Sequence, residues 1–192
     1  MGDKKHKHHH AGKSSRSIIS ASKVFDLLNL PQGITFFDAG CGDGYFSIEI
    51  ALRLSSNSKI IAADVHQESL EKLKKEIQEK NIKNIEIIKA DITQKLPLEE
   101  NSIDVYFIAN VLHGFDKEEK IKVLKEVKRV LKKGGKLVII EFKKEPTPIG
   151  PPLEIRISEE ELKEFLENFG FQFEKSWEIS PYNYLIIFKF ME

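Results

Sequence analysis

The chain has 192 residues, enough for one domain with a single sizeable core but not for a separate substrate domain. Lys plus Arg and Asp plus Glu both total 30, so no overall charge favours nucleic acid or an anionic membrane. The N-terminus is polar and no apolar stretch approaches the ~20 residues of a membrane span, which predicts a cytoplasmic protein with neither span nor signal peptide. The composition does not indicate an oligomeric state.

The first part of the chain, residues 1–16, is interpreted as a polar tail with four histidines, at His6, His8, His9 and His10. A metal-binding tract and part of a purification tag are the alternatives. The domain is expected to cover residues 17–192. Its first helix is predicted over Ser20–Leu30, where the residues Val24, Leu27 and Leu28 share one face and Pro31 and Gly33 follow.

The stretch Phe36–Tyr45 changes its hydrophobic period in the middle, from a strand to a helix, with three glycines at the turn. Alternate glycines allow positive φ and leave no Cβ between the backbone and a ligand near the helix N-terminus. Cys41 lies in this turn and is interpreted as a small packing residue; as the chain's one cysteine, it forms neither a disulfide nor a thiolate metal site within the chain. No metal site is predicted within the domain, residues 17–192.

Acidic residues flank the glycine turn, and they indicate which ligand it binds. Asp38 ends the first strand, and Asp64 ends a second buried strand, Lys59–Asp64, at the position where folds of this kind hold a ribose diol. A dinucleotide and S-adenosylmethionine both fit these features. However, the glycines are spaced G-x-G-x-G rather than G-x-G-x-x-G, and Asp43 within the turn opposes a pyrophosphate. A cationic ligand is favoured.

The next elements bring further polar residues to the same edge of the predicted sheet. A helix over Gln67–Lys80 has a charged, solvated outer face, and Asp91 follows a third strand over Ile85–Ile88. The loop Asn110–Asp116 follows a fourth strand, Val105–Ala109. In open parallel sheets ligands bind beyond the carboxyl ends of the strands, so His113 in this loop is the best candidate for acid–base work. The alternative for His113 is a role in orienting the loop or the ligand.

The last third of the chain is expected to complete the sheet and wall the pocket. A helix is predicted over Lys117–Lys132, ended by Gly134 and Gly135, with a fifth strand over Leu137–Phe142. The proline-rich segment 143–157 is predicted to be a long ordered loop beside the substrate, with Glu141, Lys144 and Arg156 as candidate polar contacts. For Arg156 a structural salt bridge is the alternative. After a helix that begins at Ser158, two antiparallel strands flank a turn in which Tyr182 could line the pocket.

Five blocks of the sequence, in order, resemble the class I S-adenosylmethionine-dependent methyltransferases. These are Asp38-Ala39-Gly40-Cys41-Gly42-Asp43-Gly44, Asp64-Val65, Ala90-Asp91-Ile92, Ile108-Ala109-Asn110-Val111-Leu112-His113 and Leu131-Lys132-Lys133-Gly134-Gly135-Lys136-Leu137. The resemblance implies an α/β fold with a doubly wound, Rossmann-like, mostly parallel seven-stranded sheet whose last strand is antiparallel. It also implies that the N-terminal residues could cap the cofactor.

The resemblance implies that S-adenosylmethionine is the cofactor and that its binding residues are Asp38, Gly40, Cys41, Gly42, Asp64, Val65, Asp91, Ile92 and Asn110. The expected activity is methyl transfer to a small-molecule acceptor, as in the ubiquinone and menaquinone methyltransferase branch. His113 is then the candidate base, and Arg156 and Tyr182 are the candidate substrate contacts. The alternatives are a regulatory protein that binds the cofactor without catalysis and a protein or RNA methyltransferase; an NAD-binding oxidoreductase is disfavoured by the glycine spacing.

Overall fold

A seven-stranded sheet forms the centre of the computed structural model, which describes residues 15–191. The strands are β1 (Thr35–Ala39), β2 (Lys59–Asp64), β3 (Ile85–Lys89), β4 (Ile103–Ala109), β5 (Leu131–Phe142), β6 (Phe171–Glu178) and β7 (Asn183–Phe190). The helices are α1 (Ala21–Leu28), α2 (Tyr45–Arg53), α3 (Gln67–Glu79), α4 (Lys117–Val130) and α5 (Glu159–Glu167). No helix within these residues is long and apolar enough to cross a membrane. The predicted histidine tract lies outside the described residues.

The strand order is β3-β2-β1-β4-β5-β7-β6. Strands β1 to β5 pair in parallel, and β7 is antiparallel to both of its neighbours, β5 and β6. This confirms the predicted doubly wound sheet with its last strand inserted antiparallel. From β1 the sheet grows in one direction through β2 and β3 and in the other through β4 and β5. Such a switch point, here between β1 and β4, opens a crevice at the carboxyl ends of the strands. The glycine turn after β1 and the loop after β4 meet at that crevice.

The central strands are apolar on both faces because helices cover both sides of the sheet. On one face Phe36 packs against Phe107 with ring centroids 5.4 Å apart, beneath α1, α2 and α3. On the other face Phe37 packs against Tyr106 at 4.9 Å, beneath α4 and α5. Successive residues of one strand therefore pack into the two cores on opposite faces of the sheet. A shift of one residue would exchange the faces, so this packing fixes the register of the strands whose ends carry the site.

The structure corrects the predicted boundary between the fourth helix and the fifth strand. Helix α4 ends at Val130, and β5 already begins at Leu131, which pairs with Ile103 of β4. Gly134 and Gly135 lie inside this strand, where its pairing with β4 is irregular, and do not end the helix. A Cβ on Gly135 would lie 2.8 Å from the carbonyl oxygen of Lys132, so the glycine is required by the close backbone approach.

Candidate active site

The turn between β1 and α2 contains three glycines with positive φ, 72° at Gly40, 55° at Gly42 and 79° at Gly44. Their surroundings differ. A Cβ on Gly44 would lie 2.2 Å from the side chain of Leu73, so packing against α3 requires this glycine. A Cβ on Gly42 would meet nothing within 4 Å, and Gly42 lines a cavity. The backbone of the turn is therefore open to direct approach by a ligand at Gly42.

Asp38 lies beneath the glycine turn and is 2% exposed. The Ser47 hydroxyl donates a hydrogen bond to its carboxyl group at 2.5 Å. Burial raises the pKa of Asp38 to about 7; the Ser47 bond opposes this rise, and the charges of Asp64 and Asp43 add to it. A cation bound nearby would stabilise the ionised form of Asp38, so this end of the site suits a positively charged ligand.

Asp64, at the end of β2, holds the glycine turn in place. Its Oδ2 accepts a hydrogen bond from the backbone N–H of Gly42, and its Oδ1 accepts one from the backbone N–H of His66, both at 2.8 Å. A carboxylate has about four acceptor positions, so each oxygen can still accept a hydroxyl proton from a ligand. The sequence did not indicate the bond to Gly42, because it joins the end of β2 to the turn after β1.

Four other predicted cofactor residues differ in how far they are exposed. Asp91 is exposed, and its Oδ1 accepts hydrogen bonds from the Thr93 backbone N–H at 2.9 Å and the Thr93 hydroxyl at 2.7 Å. Val65 is 38% exposed, whereas Ile92 is 5% exposed. Cys41 is buried, and burial raises the pKa of its thiol well above the usual range, which fits a packing role. All four line the cavity.

Asn110 links three separate parts of the chain just beyond β4. Its backbone has a φ of 57°, in the left-handed region that Asn tolerates. Its side-chain amide donates to the Ser15 hydroxyl at 3.2 Å, and its Oδ1 accepts from the amide of Asn183 at 3.1 Å. Asn183 is fully buried at the start of β7. Neither Ser15 nor Asn183 was predicted as a site residue, since in the sequence they read only as tail and turn residues.

His113 forms a buried pair with Glu141 of β5. The imidazole Nδ1 lies 2.7 Å from Glu141 Oε2, and the backbone N–H of His113 donates to Oε1 at 3.1 Å. The side chains are 4% and 1% exposed, respectively. Both carboxylate oxygens thus bind the same residue, which fixes the ring orientation and directs Nε2 away from Glu141. Sequence reasoning placed both residues near the pocket but did not pair them.

The structure corrects the prediction for Arg156, which was expected to bind the substrate or to form a salt bridge. Its guanidinium is buried, lies 5.5 Å from the ring centre of Phe142 and has all three nitrogens engaged. Its partners are the Thr147 hydroxyl and the carbonyl oxygens of Pro151, Lys143, Glu145 and Ile149. Proline-rich loops lack N–H donors for their own carbonyls, and Arg156 supplies them. Arg156 therefore shapes the loop 143–157.

A cavity of about 1310 Å³ lies between the strand ends, the loop 143–157 and the N-terminal segment. The predicted cofactor residues, His113 and Tyr182 line it, whereas Glu141, Lys144 and Arg156, the predicted polar contacts, do not. Acidic side chains border one end, whereas the other is walled by the apolar residues Phe142, Pro148, Ile149 and Pro151. Its volume exceeds the roughly 300–1,000 Å³ of common small-molecule sites, so two ligands can lie side by side.

The first described residues close one side of this cavity. Ser15, Ser17 and Ile18 line it. Arg16 makes ion pairs with Asp43 at 3.2 Å and with Glu76 at 2.8 Å, and its guanidinium lies 5.0 Å from the centre of a tyrosine ring in α2. The predicted boundary after residue 16 thus assigns to the tail two residues that contact the domain.

Two of the curated relatives each match a little under two thirds of the chain. The demethylmenaquinone methyltransferase of Lactococcus lactis subsp. lactis is 33% identical over 117 residues, which are 61% of this chain and 45% of that protein. The demethylmenaquinone methyltransferase of Oceanobacillus iheyensis is 33% identical over 123 residues, 64% of this chain and 50% of that protein. The chain thus spans about half the length of the curated relatives it matches.

A solved structure and a family model extend the match. The crystal structure of a SAM-dependent methyltransferase from Aquifex aeolicus superposes with a TM-score of 0.84 and 29% identity, covering 96% of this chain and 97% of that one. The family model described as a methyltransferase domain matches residues 30–177, which include β1 to β5 and most of β6. These matches confirm the resemblance seen in the sequence. The chain belongs to the methyltransferase domain family.

Proposed function

We propose that the protein is an S-adenosylmethionine-dependent methyltransferase that acts on a small-molecule acceptor. The observation that carries this proposal is the two-ended cavity of about 1310 Å³, acidic beside the glycine turn and apolar beside the loop 143–157. One end suits a cationic nucleoside and the other an uncharged body. The curated relatives named demethylmenaquinone methyltransferases support a small-molecule acceptor.

The acidic end is the proposed cofactor site, and the residues present fit this group. S-adenosylmethionine, when bound, supplies a methyl group already activated on a sulfonium. Asp64 has acceptor positions for the ribose hydroxyls, and Asp91 has one for the adenine edge. The open backbone at Gly42 and the buried Asp38 suit the cationic amino acid part. Cys41, Val65, Ile92 and Asn110 complete the proposed lining, the last through its bridge to Ser15.

The apolar end is the proposed acceptor site. Phe142, Ile149 and Tyr182 line the cavity and are the residues proposed to hold the acceptor body against the methyl donor. His113 faces this end, and its imidazole, held by Glu141, is the proposed group that orients the acceptor or takes its proton at Nε2. A base is needed only where the acceptor must lose a proton.

Calorimetry and a turnover screen test the proposal in two steps. S-adenosylmethionine and S-adenosylhomocysteine should bind in the micromolar range while NAD does not. Comparable NAD affinity would contradict the cofactor assignment. Phenols, quinols, amines and carboxylates are then screened by detection of S-adenosylhomocysteine. Cofactor binding without turnover on any acceptor, including a metabolite extract, would favour the non-catalytic regulatory protein.

A further inference from the structure

A second cavity of about 660 Å³ lies between helices α4 and α5. Apolar and charged side chains share its walls, and the apolar part includes Leu112, Leu124, Leu162, Phe165 and Leu166. It is distinct from the site described above, but three residues, His113, Phe115 and Ile155, line both cavities. The two cavities are therefore neighbours that share a wall.

Cationic side chains border this second cavity. Lys144 pairs with Glu161 of α5, and the guanidinium nitrogens of Arg156 bind loop carbonyl oxygens. This leaves Lys117 and Lys120 at the first turn of α4. Lys120 is half-buried, and among residues 15–191 no acidic side chain forms an ion pair or hydrogen bond with its ammonium group. Burial lowers the pKa of its ammonium group, and the more distant charges of Glu141, Asp116, Glu161 and Glu119 partly offset this. An anion at this position would give Lys120 the close partner it lacks.

We propose that this second cavity binds a small amphiphilic carboxylate, with its apolar chain between α4 and α5 and its carboxylate at Lys120. The apolar walls provide for the chain, since burying apolar surface is favourable. The half-buried ammonium group of Lys120 favours an anionic head group. An uncharged head group would leave the ammonium without a counter-ion, and a cationic one would be repelled. Glu154, the other acid on the lining, repels any anion, and it repels an anion of higher charge more than a monocarboxylate.

Calorimetry with eight-carbon probes separates the head group from the chain. Octanoate, octanol and octylammonium are titrated, below their aggregation concentrations, into protein saturated with S-adenosylhomocysteine and into protein alone. Octanoate should bind roughly tenfold more tightly than octanol, as expected for a hydrogen bond between charged groups, and octylammonium should not bind. Saturation of the first site should leave octanoate affinity unchanged.

Two variants and a matched control assign the binding to this cavity. Lys120→Gln should reduce octanoate affinity to that of octanol, whereas Lys122→Gln, at an exposed position of the same helix that does not line the cavity, should have no effect. Phe165→Ala, at a half-buried position, should weaken octanoate and octanol equally. Equal affinities for octanoate and octanol, retention of the preference in Lys120→Gln, displacement by S-adenosylhomocysteine or failure of octanoate to bind would each overturn the proposal.

Discussion

Asp38→Asn isolates the effect of one buried carboxyl group on the stability of the ligand-free protein. The substitution keeps the shape of the side chain and an oxygen that can accept the Ser47 hydroxyl, but it removes the proton equilibrium. Burial raises the pKa of Asp38 from its ordinary 3.8 to about 7. Between these two values the folded protein holds a proton on Asp38 that the unfolded chain has lost. The stability that comes from the protonated group is present below pH 3.8 and is lost as the pH rises through 7.

The size of the effect follows from the pKa difference. Each pH unit in this window lowers the free energy of unfolding by about 1.4 kcal/mol, so the whole shift corresponds to about 4 kcal/mol. The Asn variant has no such loss. Its free energy of unfolding, relative to that of the unchanged protein, should therefore rise by about 4 kcal/mol between pH 4 and pH 8.

Urea unfolding followed by far-UV circular dichroism, at one-unit steps from pH 4 to pH 8, measures this difference. Taking the difference between the two proteins cancels the contributions of other titrating groups that the substitution leaves unchanged. A difference that stays flat over this range would refute the argument, because Asp38 would then titrate alike in the folded and unfolded chains. A cationic ligand at this end of the cavity should lower the pKa of Asp38, so S-adenosylmethionine binding near pH 6 should release a proton, detectable by calorimetry in two buffers.

Three further predictions address the remaining polar residues. Asp64→Ala should weaken S-adenosylhomocysteine binding by ~1.5 to 3 kcal/mol, or roughly ten- to a hundredfold, through loss of the ligand contact and of the Gly42 bond; unchanged affinity by calorimetry would show that the acid is misassigned. If His113 takes a proton from the acceptor, His113→Ala and Glu141→Gln should each lower kcat by ~100-fold on an acceptor found in the screen, while cofactor affinity stays nearly constant. Full turnover in both variants would mean that the enzyme acts by aligning the acceptor alone. A lysine cannot reproduce the planar donor set of Arg156, so Arg156→Lys should lower the free energy of unfolding by about 1–3 kcal/mol and raise the KM for the acceptor. An unchanged KM would show that the shape of the loop does not control acceptor binding.

Features that follow from short stretches of sequence were predicted well. Asp38 and Asp64 each end an apolar run, and the parallel sheet brings such ends to one edge, so their neighbourhood follows from the pattern of strands. The glycine turn was recognised because positive φ at alternate residues restricts the sequence strongly. The start of α5 at Ser158 was predicted from residues 158–161, and in the structure Ser158 and Glu161 form a capping box there.

Features that depend on pairs distant in the sequence were missed. Nothing local to His113 or Glu141 indicates that both oxygens of the acid bind one histidine across β4 and β5. Arg156 looked like a ligand contact because a sequence does not show which carbonyls a loop leaves without donors. The end of α4 was misplaced because the apolar spacing of the helix continues to Leu131, and a leucine there fits a helix and a buried strand equally well.

The two ends of the main cavity therefore rest on different kinds of structure. The acidic end is built from strand ends and tight turns, where Asp64 and the packing of Gly44 against Leu73 allow little change. The apolar end is built from the loop 143–157, whose path is set largely by one buried side chain, Arg156, and which borders both cavities at Ile155. Substitutions in this loop can reshape the apolar end without moving the glycine turn. The fold thus constrains the ligand at the acidic end closely, while the choice of acceptor depends on the length and sequence of a loop that the sheet does not determine.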